Sequence, residues 1–169
     1  AESLLLARAL MNPTVYQHHV ARIARRMLWA ATERLLHATA VTAARLRRMD
    51  DVDLRARLRA ESAAAPMMAR IDERRLFKRA IWAEWEAVPT SVRSMSGSAT
   101  AALRTTIAEA ADVPHDEVLV DIPPAPSMPE ASTQIVVGDA IVSIAAASPL
   151  VRALQQTNEA NWRLGVYTP

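Results

Sequence analysis

The densest concentration of side chains able to handle an anion lies near the start of the chain. Tyr16-Gln17-His18-His19, with Arg8 before it and Arg22 after it, puts a phenol, two imidazoles and two guanidiniums on or near the beginning of one helix. The positive end of a helix dipole favours anions there, so the group is suited to phosphate. The plainer alternative makes Tyr16 and His18 packing residues and the arginines a solvated face. His18 and His19 are neighbours, so on a helix they diverge by about 100° and cannot chelate one metal together. With no further ligands nearby, a zinc site is not expected.

A second basic cluster, Arg74-Arg75-Leu76-Phe77-Lys78-Arg79, has the chemistry to hold a nucleotide phosphate or nucleic acid; as plain structure it is positive charge at a helix C-terminus, stabilising in its own right. His115-Asp116 spells the pair used in some metal sites, but it follows Pro114 just before a strand, where Asp116 reads as a turn residue. With three glycines in the chain there is no Gly-rich phosphate loop, and no G-x-S-x-G elbow accompanies the serines. Cysteine is absent, which excludes disulfides, Cys-based zinc or iron–sulfur sites and thiol nucleophiles.

These groups sit in a chain of 169 residues, long enough for one domain or two small ones, with 51% hydrophobic and 22% charged residues, the balance of a globular protein. No run of 18 apolar residues exists and the start lacks the features of a signal peptide, so a cytoplasmic protein is expected. The net charge of +2 hides a sharp division near Ala80. Residues 1–80 carry 15 Arg and Lys78 against 8 acids, a net of +8, while residues 81–169 carry 4 Arg against 10 acids, a net of −6. Such a split points to two units with different partners, the first suited to phosphate-rich ligands or an acidic surface.

The pattern along the chain divides at the same place. Residues 1–78 have no glycine and are dense in Ala, Leu and Arg, which predicts an all-helical half. Asn12-Pro13 reads as the start of a helix running to about His37, with Tyr16, Val20, Ile23, Met27, Ala30 and Ala31 at helical spacing. Further helices are expected from Asp50-Asp51, where acids meet the positive end, and over roughly Ala64 to Leu76. Beyond Lys78 the reading is a strand over 80–88, a helix over 98–111, a strand over 117–122, a proline loop over 123–129, a hairpin turning at Gly138-Asp139, a helix from Ser148-Pro149 and a last strand over 164–167. With the hairpin counted as one position in the series, that order is the βαββαβ order of a ferredoxin-like domain, so the expected class is α+β: a helical lobe over 1–78 followed by a ferredoxin-like domain over 79–169.

The stretch Ser3-Leu4-Leu5-Leu6-Ala7-Arg8-Ala9-Leu10-Met11-Asn12-Pro13-Thr14-Val15-Tyr16-Gln17-His18-His19, with Arg26-Met27-Leu28 beyond it, resembles the segment that follows the catalytic core in HD-superfamily phosphohydrolases. Within them it looks most like the dNTP triphosphohydrolase branch and its bacterial and archaeal relatives. Arg74-Arg75-Leu76-Phe77-Lys78-Arg79 is similar to a second motif of that branch at a comparable distance, and Ser148 to Leu154 and Trp162 to Tyr167 look like the end of the archaeal members.

The resemblance implies that Arg8 contacts substrate phosphates, that Tyr16 packs on the nucleotide sugar, and that Arg74 and Lys78 hold an activator nucleotide between subunits. Asn12 stands where some relatives have a substrate-contacting histidine, which puts the same nucleotide specificity in doubt. The family's metal ligands, a His, a His-Asp pair and a distant Asp, all precede the segment where these residues begin. The expectation is therefore the C-terminal part of a longer enzyme, itself without metal site, cofactor or catalytic residue, which contributes phosphate-contacting and oligomerisation surfaces. The parent would use a divalent metal to activate water for attack on a phosphoester or triphosphate. The expected partners are the missing N-terminal HD core, further copies of the chain, and a nucleotide. A reading of a different class makes the chain a non-catalytic module that binds nucleic acid or protein through its basic half, although Tyr16, Trp29 and Phe77 are few aromatics for stacking.

Overall fold

The computed structural model describes residues 2–39 and 41–169. The first half is helical, as its composition predicts: α1 (Glu2–Met11), α2 (His19–Ala38), α3 (Ala43–Leu46), α4 (Asp51–Ala60) and α5 (Ala65–Asp72). Then follow β1 (Lys78–Glu84), α6 (Thr90–Arg93), α7 (Ser98–Ala111), β2 (Leu119–Asp121), β3 (Gln134–Val137), β4 (Ala140–Ser143), α8 (Ile144–Ala147), α9 (Pro149–Ala160) and β5 (Arg163–Thr168). The class is α+β. Among the described residues no helix is long and apolar enough to cross a membrane.

Two helix ends depart from the periodicity, each for a local reason. The helix expected to start at Asn12 begins instead at His19, because Asn12–Tyr16 forms one wide turn continuing α1. Pro13 has no N–H to return to the preceding turn, and the chain opens until the Gln17 N–H donates to the Asn12 carbonyl five residues back at 2.8 Å. Asn12 caps nothing; its side-chain amide donates to Asn158 Oδ1 at 3.0 Å. The helix expected to reach Leu76 stops at Asp72, with Arg74 in the left-handed region at φ 58° and the Arg75 N–H donating to the Arg70 carbonyl at 2.8 Å. This is a Schellman-type ending in which an arginine takes the position that usually falls to glycine. At α4, by contrast, the acidic start behaves as read: Asp50 Oδ1 accepts the N–H groups of Val52 at 2.9 Å and Asp53 at 2.8 Å.

The sheet differs from the ferredoxin-like expectation. The elements occur in the anticipated order, but the pairing gives a three-stranded antiparallel sheet, β1-β5-β2, and a separate two-stranded hairpin, β3-β4. The last strand is central, buried over Leu164–Tyr167. Pro123, Pro124, Pro126 and Pro129 follow β2 and deny ladder bonds, so the hairpin leaves the main sheet and packs on α8.

Strand alternation gives the central sheet two buried faces. On one, Leu119 and Tyr167 join Ile23, Met27, Ala31 and Leu35 of α2, Leu58 of α4, Met67 and Met68 of α5, and Phe77. On the other, Val120, Leu164 and Val166 meet Ala108 of α7, Val88 and Trp162. A third cluster joins Leu5 of α1 to Ala131, Ile144, Val151 and Leu154. The core around α2 thus draws members from both charge halves. Gly165 is required by close approach: a Cβ there would overlap the Tyr167 ring folded across it.

Candidate functional site

Arg8, Asn12 and Tyr16 follow one another at intervals of four, which through α1 and its wide turn brings them to the same side of the chain. They line one cleft of about 580 Å³, closed opposite by Leu154, Thr157 and Asn158 of α9 and by the Ser127–Glu130 segment. That volume lies in the ordinary range for a small-molecule pocket. The cleft floor is tied together by amides: Asn12 donates to Asn158 Oδ1 at 3.0 Å, and Asn158 Nδ2 donates to the Ser127 carbonyl at 3.1 Å. Arg8 forms an ion pair with Glu130 while its side chain stays 66% exposed. An exposed pair of this kind is worth about 0–1 kcal/mol, so a phosphate arriving at Arg8 has little to displace. The guanidinium offers a planar fork of donors and the exposed Tyr16 an apolar ring face, the two surfaces a phosphorylated sugar needs.

Other residues singled out in the sequence lie elsewhere. Arg22 is 1% exposed and faces inward. Its Nε donates to Asp121 Oδ2 at 2.7 Å, a terminal nitrogen donates to the Arg163 carbonyl at 2.8 Å, and its guanidinium lies 4.8 Å from the centre of the Trp82 ring. Arg22 is therefore a structural pillar rather than a phosphate contact, because the carboxylate that neutralises it comes from β2, 99 residues away. Tyr167 completes the group, its hydroxyl donating to Asp121 Oδ2 at 3.2 Å. Burial, then the neighbouring Asp121 carboxylate, push the phenol pKa far up, so it remains a donor. Neither Asp121 nor Tyr167 carried a signal in the sequence beyond membership of a strand.

His18 and His19 stack at 4.5 Å, and His19 meets the Trp82 ring edge-on at 6.5 Å. Partial burial, helped by Arg79 and His18, lowers the His19 pKa. Arg74 and Lys78 are exposed and lie outside the Arg8 cleft, while Phe77 between them is buried in the α2 core. His115 and Asp116 are held by the fold: Arg104 Nε donates to His115 Nε2 at 3.2 Å and Arg34 donates to the Asp116 carboxylate at 3.1 Å. Among the described residues no three His, Asp or Glu side chains gather so as to hold a metal ion.

A family described as the HD-associated region matches residues 1–169, the whole chain. The chain belongs to this family. It is also similar to the uncharacterized protein MJ1154 of Methanocaldococcus jannaschii, with 27% identity over 169 residues. That match takes in 99% of this chain and 37% of the relative, so the HD-associated region spans well under half of the longer protein. No solved structure gives a significant match.

Proposed function

We propose that this HD-associated region is the lobe that completes the substrate cleft of an HD-type, metal-dependent nucleotide phosphohydrolase of the dNTP triphosphohydrolase-like branch. In this reading it is the C-terminal part of the enzyme, and the metal site belongs to the preceding HD core. The observation that carries the reading is the meeting of Arg8 and Tyr16 in one cleft of about 580 Å³. On substrate entry Arg8 exchanges Glu130 for phosphate oxygens and offsets the charge that grows there as the phosphoester breaks. Tyr16 supports the sugar, and the Asn12, Asn158 and Asn161 amides meet its polar groups. Arg74 and Lys78 serve as a separate phosphate contact on an exposed edge, where a second subunit and an activator nucleotide have room.

The test is nucleotide hydrolysis by the full-length protein with added divalent metal. Arg8→Ala is expected to lower kcat by a factor on the order of 100 to 1000, the usual cost of one charge-stabilising donor. Tyr16→Ala is expected to raise KM more than it lowers kcat. Arg74→Ala with Lys78→Ala is expected to remove activation by added nucleotide and leave the unactivated rate unchanged. An Arg8→Ala enzyme with wild-type kinetics sinks the assignment.

A further inference from the structure

A second cleft of about 580 Å³ opens between α2 and the start of α7. It takes Arg25, Arg26 and Trp29 from α2, Arg104 from α7, and the chain around Gly97. Among the described residues none of the three arginines has a carboxylate partner within 4.0 Å; Arg104 Nε donates instead to His115 Nε2 at 3.2 Å. Arg26 Nε is shielded from solvent with no hydrogen-bond partner, although its guanidinium lies 5.4 Å from the centre of the Trp29 ring. The acids on the wall do not answer this charge. Asp121 is committed to Arg22 and Tyr167, and Glu33 is exposed and forms no ion pair among the described residues.

The start of α7 adds to the positive field. Its N-cap is Gly97 at φ 53°, which has no side chain to cap the first turn; the Ala99 N–H donates to the Ser96 carbonyl at 3.2 Å, and Thr100 and Arg104 of α7 line the cleft. Three guanidiniums that line one cleft, none paired to a carboxylate within 4.0 Å among the described residues, make a positive field that an anion from solution relieves. Trp29, 56% exposed, stands at the rim as a flat ring face.

We propose that this cleft is an oligophosphate site, with the phosphoryl oxygens taken by Arg25, Arg26 and Arg104 and by the start of α7. The anion is a free triphosphate chain or the triphosphate of a nucleotide whose base lies on Trp29. The inference stands on this cleft alone and does not depend on the assignment of Arg8 and Tyr16.

The experiment is calorimetric titration of the full-length protein with inorganic triphosphate and with ATP. Saturable binding of triphosphate is expected. Measured in the Arg8→Gln background, so that the Arg8 cleft does not contribute, Arg26→Gln and Arg104→Gln should each weaken it about tenfold, the loss of one charge-assisted contact. Arg25→Gln, at an exposed position, serves as a third variant that leaves packing intact. If Trp29→Ala erases an advantage of ATP over inorganic triphosphate, the site takes nucleotides; equal binding in both proteins makes it a site for the triphosphate chain itself. No saturable binding, or affinity lost in Arg8→Gln and retained in the three cleft variants, overturns the proposal.

Discussion

Arg22, Asp121 and Tyr167 show what one residue can decide. Asp121 sits on the middle sheet's edge strand at 8% exposure and would carry a buried charge if Arg22 were absent. Arg22→Ala leaves that carboxylate without its cation, and a loss of about 3–5 kcal/mol is expected in urea denaturation. Tyr167→Phe removes one hydrogen bond to the same oxygen and is expected to cost about 1.5–3 kcal/mol, the range for bonds to charged groups. If Arg22→Ala costs no more than Tyr167→Phe, the ion pair is not the pillar described. His19 supplies a pH dependence. Its folded pKa is depressed below the usual 6.5, so between that value and 6.5 the unfolded chain binds more protons than the folded one. Its contribution is fully present above pH 6.5 and is lost as pH falls through the lowered folded value. Stability curves taken from pH 8 to pH 5 should fall along this window in the wild type and flatten in His19→Asn.

Single elements are shaped by capping and by backbone geometry. Asp50 accepts two first-turn N–H groups of α4, and Asp50→Ala is expected to cost about 1 kcal/mol of stability, measured by thermal denaturation. Arg74 ends α5 in the left-handed region, which costs an L-residue roughly 1–2 kcal/mol and glycine little. Arg74→Gly is therefore expected to raise the melting temperature, and in the same protein to weaken nucleotide activation if Arg74 holds phosphate. A lower melting temperature would contradict the strain argument.

Across the whole molecule, charge and packing divide the chain differently. Charge separates residues 1–80 from 81–169, but the core around α2 includes Leu119 and Tyr167 from the second half. A chain ending at Phe77 loses both, together with the Asp121 partner of Arg22, and leaves Met27, Ala31 and Leu35 uncovered on one side. Such a truncation is expected to bind a hydrophobic dye and show no cooperative thermal transition, whereas residues 1–169 melt as one unit. Two separate transitions in the longer chain would instead favour independent units.

Much of the architecture was written in local patterns. The helical half, the hairpin at Gly138-Asp139, the strand before the proline run and the order of elements all follow from periodicity, turn residues and proline, which act within a few residues. The resemblance put Arg8 and Tyr16 forward as substrate contacts, but the interval of four that lines them up with Asn12 has meaning only because the wide turn continues α1 instead of starting a new helix at Asn12. What the local patterns could not carry was pairing across distance. Nothing near Arg22 announces Asp121, and the period-2 pattern of β5 does not say that the last strand lies between β1 and β2. The cleft of Arg25, Arg26 and Arg104 was hidden for the same reason: α2 and α7 are far apart in the chain and are brought to one cleft by packing on β2. Sequence determines which groups exist and which way each element turns them, but burial and counter-charge depend on distant contacts such as that between Arg22 and the Arg163 carbonyl, 141 positions apart, and only tertiary packing decides those.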